Sequence, residues 1–175
     1  MLDVGRILIF TGDGKGKTTA ALGMALRACG HGLRVKIVQF IKSAAATGEF
    51  AAMGKFDSVE FVQTGLGFVP AENDPDFHLH ESAAARALQI AGEAIQSKTY
   101  DMVILDEICN AIHKKLIKED DVISLIRHVE SPLCLVLTGR GASDRLMALA
   151  DTVTVMQCRK HAYQQNIPAQ KGVEY

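Results

Sequence analysis

Residues 11–20 read TGDGKGKTTA, and no other stretch constrains the fold as tightly. The run follows a short apolar segment, RILIFT at 6–11, and opens an alanine-rich helical segment from Lys17 to Cys29. Strand, glycine-rich turn and helix in that order are what a phosphate-binding loop requires. Glycines let backbone N–H groups turn inward around an anion, and a helix N-terminus adds partial positive charge. Lys17 would bring a full charge to the phosphates, and the Thr18 hydroxyl is placed to ligate Mg²⁺. The usual pattern, G-x-x-x-x-G-K-[ST], puts four residues between its glycines. Here Gly12 and Gly16 have three between them, and the position five before Gly16 is Thr11. The loop is therefore either an ordinary one lacking its first glycine or one that holds a triphosphate in another way.

The rest of the chain alternates apolar runs of strand length with longer helical patterns. Segments 34–41 (RVKIVQFI), 59–63, 102–105, 133–138 and 152–157 read as strands. Residues 42–55 read as a loop-like connection of small residues, and 64–75 as a loop marked by Gly65, Gly67 and Pro70. Asp74-Pro75 reads as an N-cap and first helical residue. The helix it would open runs to about Ser97, with apolar residues at 84, 87, 88, 91, 94 and 95 on one face. Short helices are expected at roughly 107–117, 119–129 and 142–150. Apolar strands alternating with helices predict a parallel sheet covered on both faces. The expected fold class is α/β, a P-loop NTPase-like (RecA-like) three-layer α/β/α arrangement with a mostly parallel sheet of about six strands. The 175 residues suffice for a single domain, 1–175, and are too few for two comfortable ones.

Ligands of such sheets sit beyond the carboxyl ends of the strands. The 12–18 loop, Lys42, Asp106-Glu107 and Thr138-Gly139-Arg140 all fall there. Four apolar residues ending in Asp106-Glu107 make a Walker B arrangement, whose acid holds Mg²⁺ directly or through water. Glu107 is open to two roles, a general base for water or a second group around the metal. Arg27 and Arg140 are candidate phosphate or ribose contacts. No N-K-x-D is present, against a GTPase, and no arginine-dense lid, against a small-molecule kinase. His78-x-His80 near a helix start points its rings apart, and His113 and His128 read as helix surface.

A net charge of −1 offers no basic field for nucleic acid or anionic lipid. The four cysteines show neither C-x-x-C nor metal-ligand spacing and read as reduced, buried thiols. MLDVGRILIF does not read as a signal peptide, and no segment approaches a membrane span. The expected location is cytoplasmic, with no nucleic-acid or membrane partner.

With these residues in view, the chain resembles the ATP:corrinoid adenosyltransferases. The likeness rests on TGDGKGKTTA (11–20, with Asp13 where relatives usually carry Asn), RACGHG (27–32), VQFIK (38–42) and Gly48-Glu49. It continues through TGLGF (64–68), VILDEI (103–108), TGRGA with L-x-x-x-AD (138–151), RKHAY (159–163) and AQKGVEY (169–175). The odd glycine spacing is itself a mark of that family. The resemblance implies a triphosphate lying reversed in the loop, its γ end deep and the ribose 5′ carbon outward. A reduced Co(I) corrinoid would attack that carbon in line, and inorganic triphosphate would leave whole.

Under this reading Lys15, Lys17 and Glu107 carry the catalytic roles. Gly12, Asp13, Gly14, Lys15, Gly16, Lys17, Thr18, Thr19, Arg27, Lys42, Phe68 and Arg140 bind the ligands. Thr18, Asp106 and Glu107 hold Mg²⁺ (or Mn²⁺). The family displaces the lower axial ligand of cobalt with apolar side chains, commonly Phe-x-Trp; here Phe68 matches, Pro70 stands at the second aromatic position, and the chain has no Trp. Relatives often carry an acid at the position of Val155, so a contact is expected to be lost there; some have an N-terminal extension over the site, and a more open site is expected here. A flavoprotein reductant and a homodimer are implied by the resemblance. Two other readings stand beside it: a P-loop ATPase or kinase with Glu107 activating water, and a nucleotide-gated corrinoid carrier without catalysis.

Overall fold

The computed structural model describes residues 5–43, 47–130 and 132–173. Its strands are β1 (Arg6–Thr11), β2 (Val35–Gln39), β3 (Val59–Gln63), β4 (Met102–Asp106), β5 (Cys134–Thr138) and β6 (Thr152–Val155). They form one sheet in the order β3-β2-β4-β5-β1-β6, and every pairing is parallel. The helices are α1 (Lys17–Gly30), α2 (Gly48–Met53), α3 (Phe77–Gln96), α4 (Ile108–His113), α5 (Glu119–Ile126) and α6 (Asp144–Met147). A short 3-10 helix spans Ala162–Gln165.

Side chains alternate across a strand, so each strand serves two cores. Val35, Ile37, Met102, Ile104 and Val136 pack with Ala21, Ala25 and Ala28 of α1 and Met53 of α2. Val38, Val103, Leu105, Leu135 and Leu137 face the other way, toward α3, α4, α5 and α6. Three layers follow directly from that alternation. The α1 contact is made of alanines, Ala25 being fully buried. Helix and sheet approach closely there, and a leucine at Ala25 would overpack by about 1–3 kcal/mol. In α3, Ala84, Ala87, Ala91, Ala94 and Ile95 are buried and Leu88 packs beside them, the face that the helical period predicts.

Several expected boundaries move. Residues 42–55 are not all loop: Gly48–Met53 is helical, held by an edge-to-face contact of Phe50 on Phe61 and by buried Met53. Asp74-Pro75 does not start α3. The Asp74 carboxylate accepts from the Asp76 backbone in a turn, and the helix begins at Phe77. α4 stops at His113, and α6 covers only Asp144–Met147, where Ser143 caps the Leu146 N–H at 3.1 Å.

β6 is not covered on both faces. It is an edge strand paired to β1 alone, and all four of its residues are exposed. The cysteines are free, but only Cys109 is fully buried; Cys158, beyond the edge strand, is exposed. No helix among the described residues is long and apolar enough to cross a membrane.

Candidate functional site

The carboxyl ends of β1, β2, β4 and β5 open into one cavity of roughly 1340 Å³. Ligand sites commonly measure about 300–1,000 Å³, so this one has room for more than a nucleotide. Its floor is the 12–19 loop, which leaves β1 and turns into α1. Gly12 (φ 93°) and Gly16 (φ 106°) adopt left-handed backbone that glycine tolerates and other residues resist.

The compressed loop is fastened to the chain after β6. The Met156 N–H donates to the Thr11 carbonyl at 2.8 Å, and the Gly14 N–H donates to the Met156 carbonyl at 2.7 Å. A Cβ on Gly12 would stand 2.4 Å from the Met156 oxygen, and one on Gly14 would stand 2.9 Å from Gln157 backbone. Glycine at position 14 is thus demanded by this seam, a close approach that loop spacing by itself does not disclose.

Lys17 is buried, and its ammonium donates to the carbonyls of Gly12 at 2.7 Å and Gly14 at 2.6 Å. Burial pushes its pKa below 10.5 and Arg140 pushes the same way; Glu107, Asp13 and Asp106 oppose them. Thr18, one residue on, donates its hydroxyl to Asp106 Oδ1 at 2.9 Å. That commits the Thr18 proton and leaves its lone pairs for a cation.

Asp106 does not line the cavity; it lies beneath it, 1% exposed. β5 separates β1 from β4 in the sheet, and Thr138 at its end fills the gap. The Thr138 hydroxyl donates to Asp106 Oδ1 at 2.6 Å and accepts from the Glu107 N–H at 2.9 Å. Glu107 itself lines the cavity in left-handed backbone, φ 65°. Such a conformation costs a non-glycine residue on the order of 1–3 kcal/mol and gathers at functional sites. Burial raises the Glu107 pKa above 4.5 and adjacent Asp106 adds to the rise, against a hydrogen bond from Asn110 and the charges of Lys17 and Lys42.

Lys42 joins the site from beyond β2. It pairs with Glu49 at 3.0 Å and approaches Asp106 Oδ2 to 4.0 Å. Arg140 reaches the wall between Gly139 (φ 132°) and Gly141 (φ 72°). A Cβ on Gly139 would meet the Asn110 nitrogen at 2.6 Å, and one on Gly141 the His113 ring at 2.8 Å. The Arg140 turn therefore lies flat against α4, which puts His113 into the cavity wall rather than on plain helix surface. Phe68 overhangs the cavity at 93% exposure.

The candidate residues Gly12, Asp13, Gly14, Lys15, Gly16, Lys17, Thr18, Thr19, Lys42, Phe68, Glu107 and Arg140 all line this one cavity, with Asp106 directly under it. Arg27 does not. It lies in the last turn of α1, ten residues past Lys17, exposed on the surface. At 1.5 Å rise per residue that is about 15 Å along the helix axis, and it takes no part in the cavity wall. The sequence reading gave no role to Glu49, Asn110, His113, Met147 or Gly172, all of which line the cavity. His161, which the resemblance matched without a role, and Val155, where it implied a lost acidic contact, stand there too.

The described residues contain no cluster of three or more His, Cys, Asp or Glu side chains set to hold a metal. Mg²⁺ does not need one: it is typically bound through one or two carboxylates, with water and substrate phosphate completing the shell. Thr18 over Asp106, beside the phosphate loop, fits that donor set.

Comparison with known proteins bears on the fold and the family. Two solved structures share the fold at low identity. The flagellar accessory protein FlaH from Methanocaldococcus jannaschii superposes with a TM-score of 0.59 and 13% identity, over 87% of this chain and 71% of that one. The KaiC-like protein PH0186 from Pyrococcus horikoshii gives 0.58 and 17%, with the same coverage. Curated relatives are much nearer in sequence. The corrinoid adenosyltransferase of Pseudomonas aeruginosa is 38% identical over 172 residues, spanning 98% of this chain and 84% of the relative. That of Escherichia coli K12 is 36% identical over 172 residues, spanning 98% and 86%. The family described as ATP:corrinoid adenosyltransferase BtuR/CobO/CobP matches residues 3–175. The family match along residues 3–175, with relatives 36–38% identical over 98% of the chain, places this protein in the ATP:corrinoid adenosyltransferase family.

Proposed function

We propose that residues 1–175 act as one catalytic domain that transfers the 5′-deoxyadenosyl group of ATP to the cobalt of a reduced corrinoid, in adenosylcobalamin synthesis. The observation that supports this reading is one cavity of roughly 1340 Å³ lined both by the glycine-rich 12–19 segment and by exposed Phe68. In this reading the Co(I) electron pair forms the bond to the 5′ carbon. The carbon–oxygen bond breaks, and its electron pair leaves on inorganic triphosphate. The substrate brings its own nucleophile, so the protein needs no general base. Glu107 then belongs to the metal and phosphate environment.

Holding both substrates in line can lower the barrier by about 7–11 kcal/mol. The rest is charge stabilisation on the leaving triphosphate. Lys15, Lys17 and the N–H groups of residues 12–19 supply fixed positive charge and dipoles. Thr18 and Asp106, with Glu107 close by, would hold Mg²⁺ (or Mn²⁺), which neutralises charge on the departing oxygens when bound. Lys42 and Arg140 extend the positive wall toward the ribose and phosphates. Phe68 offers the corrinoid an apolar contact on its lower face. A flavoprotein electron donor, a homodimeric assembly and a cytoplasmic location complete the reading.

The test is anaerobic. Protein, ATP, Mg²⁺ and chemically reduced cob(I)alamin are mixed, the visible spectrum is followed and polyphosphate products are quantified. Alkyl-cobalt formation with stoichiometric triphosphate is expected. ADP and phosphate alone would overturn the reading in favour of an ATPase; spectral shifts on binding with no alkylation would leave a carrier.

A further inference from the structure

Four polar side chains form a row across the carboxyl ends of the sheet: Gln63 of β3, Gln39 of β2, Asp106 of β4 and Thr138 of β5. Gln39 is in register with Gln63 on one side and with Asp106 on the other. In a parallel sheet, residues in register point to the same face, here the face covered by α1. The row is bonded end to end. Gln63 Nε2 donates to Gln39 Oε1 at 2.7 Å, and Gln39 Nε2 donates to Asp106 Oδ2 at 2.9 Å. Thr18 and Thr138 donate to the other oxygen, Oδ1. Gln39 is completely buried.

We propose that Gln39, oriented by Gln63, is a positioning residue that fixes the rotation of Asp106 and so holds Thr18 ready for the metal–triphosphate. The inference rests on the reading that Thr18 and Asp106 hold a divalent cation with the nucleotide. Gln39 touches no ligand and acts through Asp106. A carboxylate offers acceptors only, so the Gln39 amide must turn its N–H toward Asp106 and its oxygen away. Gln63 stabilises that orientation by donating to the oxygen. Lys42, at 4.0 Å from Oδ2, stands beyond hydrogen-bond distance, which leaves the Gln39 amide as the short contact to that oxygen. If the carboxylate turned, Oδ1 would leave Thr18, and the hydroxyl proton would be free to point at the cation instead of away from it.

The logic gives opposite expectations for two changes at one half-buried site. Gln63→Met removes a donor but leaves the Gln39 N–H on Asp106. Gln63→Glu puts an acceptor where a donor stood, and competes with Asp106 for the Gln39 N–H. Partners behind a metal ligand typically change metal affinity by about 10- to 100-fold.

The experiment is calorimetric binding of ATP to the full chain across a Mg²⁺ series, without corrinoid. Gln63→Glu and Gln39→Met should raise the half-saturating Mg²⁺ concentration at least about tenfold. Gln63→Met should stay near wild type, and metal-free ATP affinity should not move in any variant. If Gln39→Met fails to fold, the two Gln63 variants carry the comparison alone. Equal behaviour of Gln63→Glu and Gln63→Met, or a matching loss of metal-free affinity, would overturn the proposal. A wild-type protein whose ATP affinity ignores Mg²⁺ would overturn the metal reading beneath it, an outcome distinct from variants that track a responsive wild type.

Discussion

The Lys17 ammonium lies 2.6 Å from the carbonyl oxygen of Gly14, three residues back in its own loop. With the second bond, to Gly12 at 2.7 Å, one buried cation ties the loop's carbonyls together. Lys17 is therefore the loop's internal clamp as well as a cation lining the cavity. Lys17→Ala should lower adenosyl transfer by at least about 10²- to 10³-fold, the loss typical when one donor to a developing oxyanion is removed. It should also lower stability by about 1–3 kcal/mol, because two loop carbonyls lose a charged donor. Initial rates of alkyl-cobalt formation and a urea midpoint measured on the same preparation check both halves.

Gly14 and Gly23 make a matched pair of glycine tests. A Cβ on Gly14 would press on the backbone of Met156 and Gln157 at 2.9 Å, while one on Gly23 meets nothing within 4 Å. Gly14→Ala should therefore destabilise by about 1–3 kcal/mol through overpacking, and it should raise the KM for ATP because the loop is displaced. Gly23→Ala, inside α1, should stabilise by about 0.5–1 kcal/mol and leave KM alone. Equal urea midpoints for the two variants would mean that the β6 extension does not hold the loop.

Glu107 is shaped against its own comfort, in a way that a pH series exposes. Burial, and then Asp106, lift its pKa above 4.5, while Asn110, Lys17 and Lys42 pull it down. The folded state therefore keeps this proton at pH values where the unfolded chain has released it. Stability from this group is present below about pH 4.5 and declines as pH rises through the folded pKa. Glu107→Gln should raise the melting temperature at pH 8 and lose that advantage near pH 4, while adenosyl transfer falls. A variant no more stable than wild type at pH 8 would contradict the electrostatic account.

The sequence made legible whatever depended on local period or on glycine chemistry. The strand, glycine-rich turn and helix at 6–30 and the buried face of α3 follow from spacings of a few residues, whereas β2 stops at Gln39 and β6 at Val155, two residues short of the expected ends. What escaped depended on partners far apart in the chain. Gln39 meets Gln63 across 24 residues and Asp106 across 67, and nothing in VQF or FVQ announces either bond. α2 is six residues long and owes its place to Phe50 on Phe61, a tertiary contact that overrides a run of small residues. Arg27 shares a helix with Lys17, and its place near the far end of α1 sets it apart from the cavity wall, a distance the sequence alone does not display. His113 looks like surface until the Arg140 turn is laid beside it.

Phe68 has no packing role that its environment can support. At 93% exposure it stabilises no core. Phe68→Ala should accordingly leave the melting temperature within about 1–2 °C, as surface changes do. Its effect should fall on the corrinoid, with KM for the corrinoid up at least about tenfold, equivalent to about 1.4 kcal/mol of lost apolar contact. The KM for ATP should stay put, since Phe68 is no part of the 12–19 loop. With Pro70 two residues on, no second ring follows Phe68 in this loop, so the dependence on Phe68 should be sharp. Steady-state kinetics with each substrate varied in turn separates these expectations. A Phe68→Ala protein with an unchanged corrinoid KM would remove this residue from the site.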